Sequence, residues 1–370
     1  MHAPSAPDRT ERAGGQDLLF VLEQFRVGGL ERVVLAQVSG LLDRGRRITV
    51  AVVDPVHDNP LIAELDPRAE LVALPGARLA RIRALRRLSH ERIALLHFGK
   101  GQLFASLRPG LTPAHRVVRF CHSDYSHLRK GWKNVADRIV ASLDHRIIAV
   151  GGRSTEFMLK DVKAPAAKIA TLANVIPPTP TRLPGPQAGT AFSRGRGPRI
   201  IAVADLSGHK GQSTVLRGLP RILENVPDAE LVLVGDGTET FRLRQLAQRL
   251  GVLGHVCWLG AVWHAETVQA LMKSADVFVS MSRAEGIPIS VLEARRLGLP
   301  MVLSDIPGHR DGAGEAAHYV PVDEAEAFAA SVVERLAVRD KAEPDRHTLE
   351  ADTAAWSAYL DELEQLVASA

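Results

Sequence analysis

The chain of 370 residues has few aromatic side chains and almost no cysteine. Phenylalanine, tryptophan and tyrosine make up 5% of it, so aliphatic residues must form most of any hydrophobic core. The two cysteines, Cys121 and Cys257, are far apart in the sequence. This separation argues against a disulfide-stabilised secreted domain and favours reduced, buried thiols in a cytoplasmic protein. No apolar run approaches the roughly 18 residues that a membrane-spanning helix requires.

Several motifs that carry chemistry are also missing. The sequence has neither the Cys/His spacing of a zinc site nor the Gly-x4-Gly-Lys-Ser/Thr loop of an ATPase. Gly28 and Gly29 follow the first apolar run, but the full Gly-x-Gly-x-x-Gly of a dinucleotide-binding dehydrogenase is absent. Residues 1–16 are polar and lack the apolar segment of a signal peptide, so we interpret them as a disordered leader.

Positive charge is concentrated in one segment of the chain. The formal net charge is +4 and the pI is near 9.2, which suits phosphates or anionic lipids, and we predict no nucleic-acid partner. Between Arg78 and Arg92, the leucines and isoleucine Leu79, Ile82, Leu85 and Leu88 are spaced like one face of a helix. Such a helix either lies on an anionic membrane surface or packs on its own sheet with a solvated basic face.

Strand and helix patterns alternate along both halves of the chain. In the first half, a buried strand at 18–22, a helix at 30–42 and a strand at 48–53 form one strand–turn–helix–strand unit. Further strands are predicted at 71–74, 93–97, 117–121 and 146–150. In the second half, strands are predicted at 199–204, 230–234, 256–259, 277–280, 301–304 and 318–320. Helices are predicted there at 212–224, 239–250, 264–273, 289–297 and 324–336.

This alternation predicts an α/β protein with two Rossmann-like domains that face each other across a cleft. The Pro- and Gly-rich stretch 177–198 has no periodic pattern, and we interpret it as an interdomain linker, although a long surface loop is the alternative. The expected domains are 17–176 and 199–345, and a helix in 346–370 is able to pack back on the first domain. Parallel sheets bind ligands beyond the carboxyl ends of their strands, so two facing sheets define one groove.

The stretch SRAEGIPISVLEARRLGLP at 282–300 is the most informative part of the sequence. Gly286 and Pro288 predict a turn into a helix, whose first free N–H groups and dipole suit a phosphate. Glu293 lies about one turn inside that helix and is suited to accept hydrogen bonds from two vicinal hydroxyls, as on a ribose. Glu285 precedes the helix by a few residues, so both acids are placed at one end of it. The alternative is that both are ordinary acids that flank a helix and bind no ligand.

Several blocks in the same order resemble the family 4 retaining glycosyltransferases. They are GGLERVV at 28–34, DHRIIAVGGRSTEFM at 144–158, LANVI at 172–176, LVLVGDGTE at 231–239 and the stretch just described. The resemblance extends over nearly the whole chain from Leu18. It implies the two-Rossmann architecture called GT-B and transfer of a hexose from a nucleotide diphosphate sugar to an acceptor hydroxyl.

The resemblance also implies a role for each matching residue. His122 and Glu285 would lie at the transferred sugar, His122 being preferred over His97 and His127. Lys210 would neutralise the diphosphate, and Glu293 would hold the donor ribose. The donor would also be contacted by the two turns that contain Gly28, Gly29, Gly286, Ile287 and Pro288. The alternative for Gly28 and Gly29 is an ordinary turn without a ligand, and it fits the sequence equally well. The alternative for Lys210 is a solvated residue on the surface.

One position departs from the family pattern. Where the family carries Gly-Arg-Leu, this chain has Ala204-Asp205-Leu206, and the Asp205 carboxylate would repel a diphosphate unless a cation compensates for it. The candidates for that cation are Arg283, His209 and Arg153. The departure keeps open a catalytically impaired nucleotide-sugar-binding protein, and a nucleotide-sugar epimerase of the same fold is a further alternative.

The expected substrates follow from the same resemblance. The donor would be UDP- or GDP-linked, with no separate cofactor. No Asp-x-Asp metal motif is present, which favours a metal-independent mechanism. The acceptor would be a glycan or a lipid-linked molecule of cell-surface polysaccharide or glycolipid synthesis. We expect a cytoplasmic protein, peripheral on the inner face of the membrane if the Arg78–Arg92 segment contacts anionic lipid.

Overall fold

The computed structural model describes residues 16–25, 28–53, 60–74, 76–97, 107–122, 132–177, 197–337 and 348–370. The predicted leader up to residue 15, the greater part of the predicted linker at 178–196, and His127 lie outside the described residues.

The N-terminal part of the chain folds around a parallel sheet of seven strands. Their order across the sheet is β3-β2-β1-β4-β5-β6-β7, so the strand order reverses direction between β1 and β4. The strands are β1 (Leu18–Leu22), β2 (Ile48–Val52), β3 (Glu70–Ala73), β4 (Ile93–His97), β5 (Arg116–Cys121), β6 (Arg146–Ala149) and β7 (Ile169–Thr171). The helices are α1 (Gly29–Asp43), α2 (Arg78–Leu88), α3 (Trp132–Leu143) and the short α4 (Gly152–Glu156).

The C-terminal part repeats this design with a parallel sheet of six strands in the order β10-β9-β8-β11-β12-β13. The strands are β8 (Arg199–Val203), β9 (Glu230–Val234), β10 (Val256–Gly260), β11 (Val277–Ser280), β12 (Met301–Ser304) and β13 (Ala317–Val320). The helices are α5 (Gln212–Asn225), α6 (Thr240–Arg249), α7 (Ala265–Lys273), α8 (Ile289–Arg296), α9 (Pro307–Ala313) and α10 (Ala325–Ala337). Apolar cores lie on both faces of each sheet, as parallel sheets require.

The last helix, α11 (Thr348–Ala368), returns to the N-terminal domain. Trp356, Leu360 and Leu363 are buried in the same core as β1 and α1. The hydroxyl of Tyr359 accepts a hydrogen bond of 2.7 Å from Nε2 of Gln37, which satisfies one polar atom of each buried side chain. The end of the chain therefore completes the core of the first domain.

The basic helix α2 packs on its own sheet. Leu85 is buried, and Ile82 and Leu88 pack against the same core, whereas Leu79 is 70% exposed. The apolar face predicted from the sequence is thus largely used within the domain. Within the described residues, no helix combines the length and the apolar character needed to cross a membrane.

Some elements differ from the sequence prediction. The helices α3, α4 and α9 and the three-residue edge strand β7 were not predicted, and several boundaries shift by one or two residues. The prediction of two buried thiols is wrong for one cysteine, because Cys121 is buried and Cys257 is only partly so.

Candidate functional site

The loops that carry the predicted site residues follow neighbouring strands at the point where the strand order reverses. In the second sheet, β8 lies between β9 and β11, so the loops after β8 and β11 diverge at this point. Lys210 lies in the loop after β8, and Glu285 lies in the loop after β11. A crevice at the carboxyl ends of the strands, beside such a reversal, is the usual ligand site of an open parallel sheet.

A glycine brings these two loops into contact. Gly211 has a left-handed φ of 70°, and a Cβ at this position would lie 1.8 Å from the carbonyl oxygen of Met281. Only glycine permits both the conformation and the close approach. As a result, Nζ of Lys210 lies 2.7 Å from Oε1 and 3.0 Å from Oε2 of Glu285.

The Lys210–Glu285 pair is charged and largely shielded from solvent. Burial alone would raise the pKa of Glu285, but the charge and hydrogen bonds of Lys210, together with the hydroxyl of Ser282 at 2.8 Å, lower it overall. Burial would lower the pKa of Lys210, and the carboxylates of Glu285 and Asp205 raise it instead. The site therefore presents a fixed ammonium group that is held by two acids.

Glu293 lies on α8 and is almost fully buried. Its Oε1 forms an ion pair of 3.0 Å with the guanidinium of Arg32, which lies on α1 of the other domain. Its Oε2 is also buried and has no hydrogen-bond partner among the residues that the structure describes. A buried carboxylate oxygen without a donor is unfavourable, so this atom is available to a ligand hydroxyl.

The turn before α8 contacts three loops of the N-terminal domain. A Cβ on Gly286 would lie 2.4 Å from the carbonyl oxygen of His122, and a Cβ on Gly151 would lie 3.0 Å from the side chain of Ile287. The carbonyl of Ile287 accepts a hydrogen bond of 3.1 Å from Nδ2 of Asn174. The loops after β5, β6 and β7 thus meet the loop after β11, which closes the groove on one side.

The glycine turn after β1 is placed against the same helix. Gly28 precedes α1, and a Cβ on Gly29 would lie 3.4 Å from Ile289 at the start of α8. The N-terminal ends of α1 and α8 therefore lie close to each other. Both offer free N–H groups and the positive end of a helix dipole, which favour a bound anion. Pro288 directly precedes α8, where its missing N–H is of no consequence.

His122 directly follows β5 and forms a pair with the buried His97 at the end of β4. Nδ1 of His97 lies 3.0 Å from Nε2 of His122. Burial lowers the pKa of His122 to about 4, and burial together with the neighbouring His122 lowers the pKa of His97 well below its usual range. Both rings are therefore neutral near pH 7.

Asp205, the departure from the family pattern, lies beside the predicted phosphate-binding lysine. Its Oδ1 is 3.7 Å from Nζ of Lys210, and its side chain is about half exposed. The guanidinium of Arg283 pairs with Asp323 at 2.8 Å, and that of Arg153 pairs with Glu156 at 2.9 Å. Of these three cations, Lys210 is the one that pairs with Asp205.

The ring of His209, another proposed compensating cation, lies beside a hydroxyl. Its Nδ1 is 3.1 Å from Oγ of Ser207, and its carbonyl accepts a hydrogen bond of 2.8 Å from the N–H of Arg283. The backbone hydrogen bond from Arg283 holds the loop after β8 against the loop after β11.

Comparison with known proteins shows what the chain is similar to. Residues 191–348 match the family of glycosyl transferases group 1. The GDP-mannose-dependent alpha-(1-6)-phosphatidylinositol monomannoside mannosyltransferase of Mycobacterium tuberculosis is 29% identical over 296 residues, which cover 73% of this chain and 74% of that protein. The chain is a glycosyltransferase whose C-terminal part matches the glycosyl transferases group 1 family. A phosphatidyl-myo-inositol mannosyltransferase of Mycolicibacterium smegmatis is 36% identical to this glycosyltransferase over 127 residues, 34% of this chain and 32% of that protein.

Solved structures show that the fold of this glycosyltransferase is the two-domain GT-B arrangement. The Anabaena protein HepE in complex with UDP and glucose superimposes with a TM-score of 0.77 at 16% identity, covering 96% of this chain and 100% of that one. Sucrose-phosphate synthase from Thermosynechococcus elongatus superimposes with a TM-score of 0.75 at 17% identity, covering 95% and 98%. The fold expected from the sequence is thereby confirmed.

The sequence did not single out two residues of the site in this glycosyltransferase. Arg32 follows the Gly28-Gly29 turn within the GGLERVV block, but its partner Glu293 lies in the other domain and cannot be found from spacing. His97 ranked below His122 because it lacks the family context, yet it contacts the ring of His122 directly. The signal for His97 was its position at the end of a predicted buried strand.

Proposed function

We propose that this glycosyltransferase moves a hexose from a UDP- or GDP-linked donor to an acceptor hydroxyl with retention of the anomeric configuration and without a further cofactor. The observation that carries the proposal is the buried Oε2 of Glu293, which has no partner among the described residues and lies one turn inside the helix that begins at the interdomain contact. A ribose hydroxyl would supply the missing donor.

The remaining groups suit departure of a nucleoside diphosphate. The bond between the anomeric carbon and the diphosphate breaks, and the acceptor oxygen forms its bond to that carbon on the same face. The proton of the acceptor hydroxyl passes to the departing phosphate. Negative charge develops on the diphosphate, where the ammonium of Lys210 and the ends of α1 and α8 supply positive charge before the reaction begins.

The nature of donor and acceptor is inferred from relatives. Two mycobacterial relatives are named as mannosyltransferases that act on phosphatidylinositol derivatives, and the name of one specifies GDP-mannose. HepE was crystallised with UDP and glucose. We infer a hexose donor and a glycolipid or polysaccharide precursor as acceptor, with GDP-mannose and UDP-glucose as the first donors to test.

The direct test incubates the purified chain with a panel of UDP- and GDP-linked hexoses, with and without a lipid-extract acceptor, and measures released nucleotide and labelled product. We expect one donor to be used, and Glu293→Ala to raise its KM. Lys273→Ala, at an exposed position on α7, serves as the control. Failure of every donor to be hydrolysed or transferred would contradict the proposal.

The same assay distinguishes the two alternatives. Conversion of the donor to its epimer without acceptor, detected by NMR, would indicate an epimerase. Binding of a donor by calorimetry without turnover would indicate a nucleotide-sugar-binding protein. The second alternative has a structural motive, since Asp205 and Glu285 both face the single ammonium of Lys210 and leave an excess of negative charge there.

We also infer peripheral contact with the inner face of an anionic membrane through α2 and the neighbouring α3. The side chains of Arg83, Arg86 and Arg87 on α2 are exposed. On α3, apolar side chains one turn apart are more than half exposed; these are Val135, Ile139 and Leu143. The two helices pack into the same core through Leu85 and Val140, so their exposed basic and aliphatic side chains lie on the same side of the sheet.

Vesicle sedimentation tests this contact. We expect the chain to bind vesicles that contain about 30 mol% of the anionic lipid phosphatidylglycerol and to bind neutral phosphatidylcholine vesicles weakly. Arg83→Glu/Arg87→Glu should reduce binding to the anionic vesicles. Arg242→Glu/Arg249→Glu, which makes the same charge change at exposed positions on α6, should not. Equal losses in both variants would show that only net charge matters and would rule out this surface.

A further inference from the structure

The ring of His97 is held on both sides by aromatic side chains. β4 lies between β1 and β5, and the imidazole stacks on Phe20 at 5.5 Å between centroids and on Phe120 at 4.2 Å. The two phenyl rings are inclined to it by 6° and 19°. His97 is 2% exposed, so its ring has neither room to turn nor access to water.

The two nitrogens of His97 have different surroundings. Nδ1 lies 3.0 Å from Nε2 of His122, whereas Nε2 is buried without a hydrogen-bond partner among the described residues. Because both phenyl rings lie nearly parallel to the imidazole, neither presents its face to a hydrogen in the imidazole plane. A proton on Nε2 would therefore be a buried donor without an acceptor among the described residues, and folded proteins rarely contain such a donor.

These surroundings determine which nitrogen carries the proton in each ring. The proton of His97 belongs on Nδ1, from which it is donated to Nε2 of His122. Nε2 of His122 then acts as an acceptor, and the proton of that ring belongs on Nδ1. The His122 ring is only partly buried, and its Nδ1 makes no hydrogen bond within the described residues and is not enclosed by them.

We propose that His97 is a positioning residue that holds His122 as the Nδ1–H tautomer, so that His122 presents a hydrogen-bond donor, and not a base, to an oxygen of the bound hexose. The role assigned to the hexose rests on the proposed function. The tautomer itself rests on the His97 pocket alone. The low pKa of both histidines agrees with this arrangement, because neither ring is protonated at neutral pH.

Nitrogen-15 NMR of the histidine-labelled full chain tests the tautomer, with the His122→Asn variant identifying the His122 signals. We expect a pyrrole-type shift for Nδ1 and a pyridine-type shift for Nε2 of His122 in the unmodified chain. In His97→Phe the His122 proton should move to Nε2. In His97→Asn, whose amide replaces the lost N–H, it should stay on Nδ1. The signals of His309, a buried histidine in the other domain, provide the control.

Kinetics on the same variants test the functional consequence. We expect kcat to fall about tenfold in His97→Phe, as for the loss of one hydrogen bond in the reacting complex, and to recover in His97→Asn. A merely structural role for His97 would lower activity in both variants without moving the proton.

A pyridine-type Nδ1 of His122 in the unmodified chain would overturn the inference, and this single spectrum decides the matter even if a variant fails to fold. Absence of transfer from every donor, with the expected tautomer observed, would contradict the proposed function and leave the tautomer in place. Observed transfer with the other tautomer would contradict the role of His97 and leave the proposed function in place.

Discussion

At the scale of single residues, the ion pair between Lys210 and Glu285 gives each member a double role. The ammonium is placed for a departing diphosphate, and it also compensates for a carboxylate that is 11% exposed. Removal of one member therefore has two separable effects, one on the reaction and one on folding. A buried charge that loses its partner destabilises a protein more than the intact pair stabilises it.

We expect Lys210→Met to lower kcat/KM by about 100-fold, as for the loss of a group that stabilises developing charge. The free energy of unfolding should fall by about 3 kcal/mol because Glu285 stays buried and unpaired. The double variant Lys210→Met/Glu285→Gln should regain most of the stability and none of the activity. Urea unfolding and transfer assays measure the two effects. Recovery of activity in the double variant would show that Lys210 acts only by neutralising Glu285.

Acid should weaken the structure through the histidine pair. The pKa of His122 is about 4 in the folded chain and lies near 6.5 when unfolded, so the unfolded chain binds more protons between these values. The contribution of neutral His122 is therefore complete above about pH 6.5 and is lost as the pH falls toward 4.

Between pH 7 and pH 5 we expect His122 to account for about 2 kcal/mol of the acid-induced loss of stability. His122→Asn should show a loss smaller by this amount in urea unfolding at the two pH values. The control is His90→Asn, at an exposed position, which should lose as much stability between pH 7 and pH 5 as the unmodified chain. Equal acid sensitivity of His122→Asn and the unmodified chain would contradict the low pKa.

The sequence predicted some site residues and missed others for a physical reason. Lys210 and Glu285 belong to two separate motifs, and each was assigned from its local pattern of strand end, turn and helix. Their contact at 2.7 Å depends on the neighbouring positions of β8 and β11, which a pattern along the chain does not contain. Arg32 was missed because the other half of its ion pair lies on the other domain.

At the scale of elements, the turn that begins α5 decides whether Lys210 reaches Glu285. Gly211 combines a φ of 70° with backbone contact to the loop after β11. A side chain here would be strained by both. Gly208, three residues earlier in the same loop, has open space around its Cβ position. The two glycines therefore form a matched pair for substitution.

We expect Gly211→Ala to lower the free energy of unfolding by about 2 kcal/mol and to reduce activity strongly, because the two loops must separate. Gly208→Ala should change neither quantity appreciably. Urea unfolding and donor-release assays on both variants provide the comparison. A tolerated alanine at position 211 would show that the two loops are free to move apart without loss of function.

The prediction of elements succeeded where the apolar pattern was complete. The central strands of both sheets are continuous aliphatic runs, and each was found within two residues of its bounds. Helix α3 was not predicted because three of its apolar side chains are exposed, which obscures the periodic pattern of the buried ones; they are Val135, Ile139 and Leu143. Strand β7 has three residues on a sheet edge, too few for a period to be read.

At the scale of the whole molecule, two domains of the same design are joined by several contacts between their loops and helices. The sequence indicated two α/β halves but not how they face each other, since that depends on contacts such as Asn174 with Ile287 and Arg32 with Glu293. Of these two contacts, the ion pair of Arg32 also involves Glu293, the residue proposed to bind the ribose. Closure of the domains and recognition of the donor therefore share a carboxylate.

This shared carboxylate predicts that Arg32 couples closure to donor binding. With Oε1 of Glu293 held by Arg32, the carboxylate is fixed with Oε2 free for a ribose hydroxyl. In Arg32→Met the two domains lose an ion pair and Glu293 is left buried without its cation, so we expect a larger radius of gyration in small-angle scattering and an increase in donor KM of about tenfold. Arg44→Met is the control. Arg44 follows directly after α1 and pairs with Asp361 on α11, within the first domain, so its loss should change neither the radius of gyration nor the donor KM. If Arg32→Met binds a ribonucleotide donor and its 2′,3′-dideoxy analogue with the same ratio of affinities as the unmodified chain, Arg32 acts on closure alone. A reduced ratio is the expected result, because it shows that Arg32 acts on the ribose through Glu293.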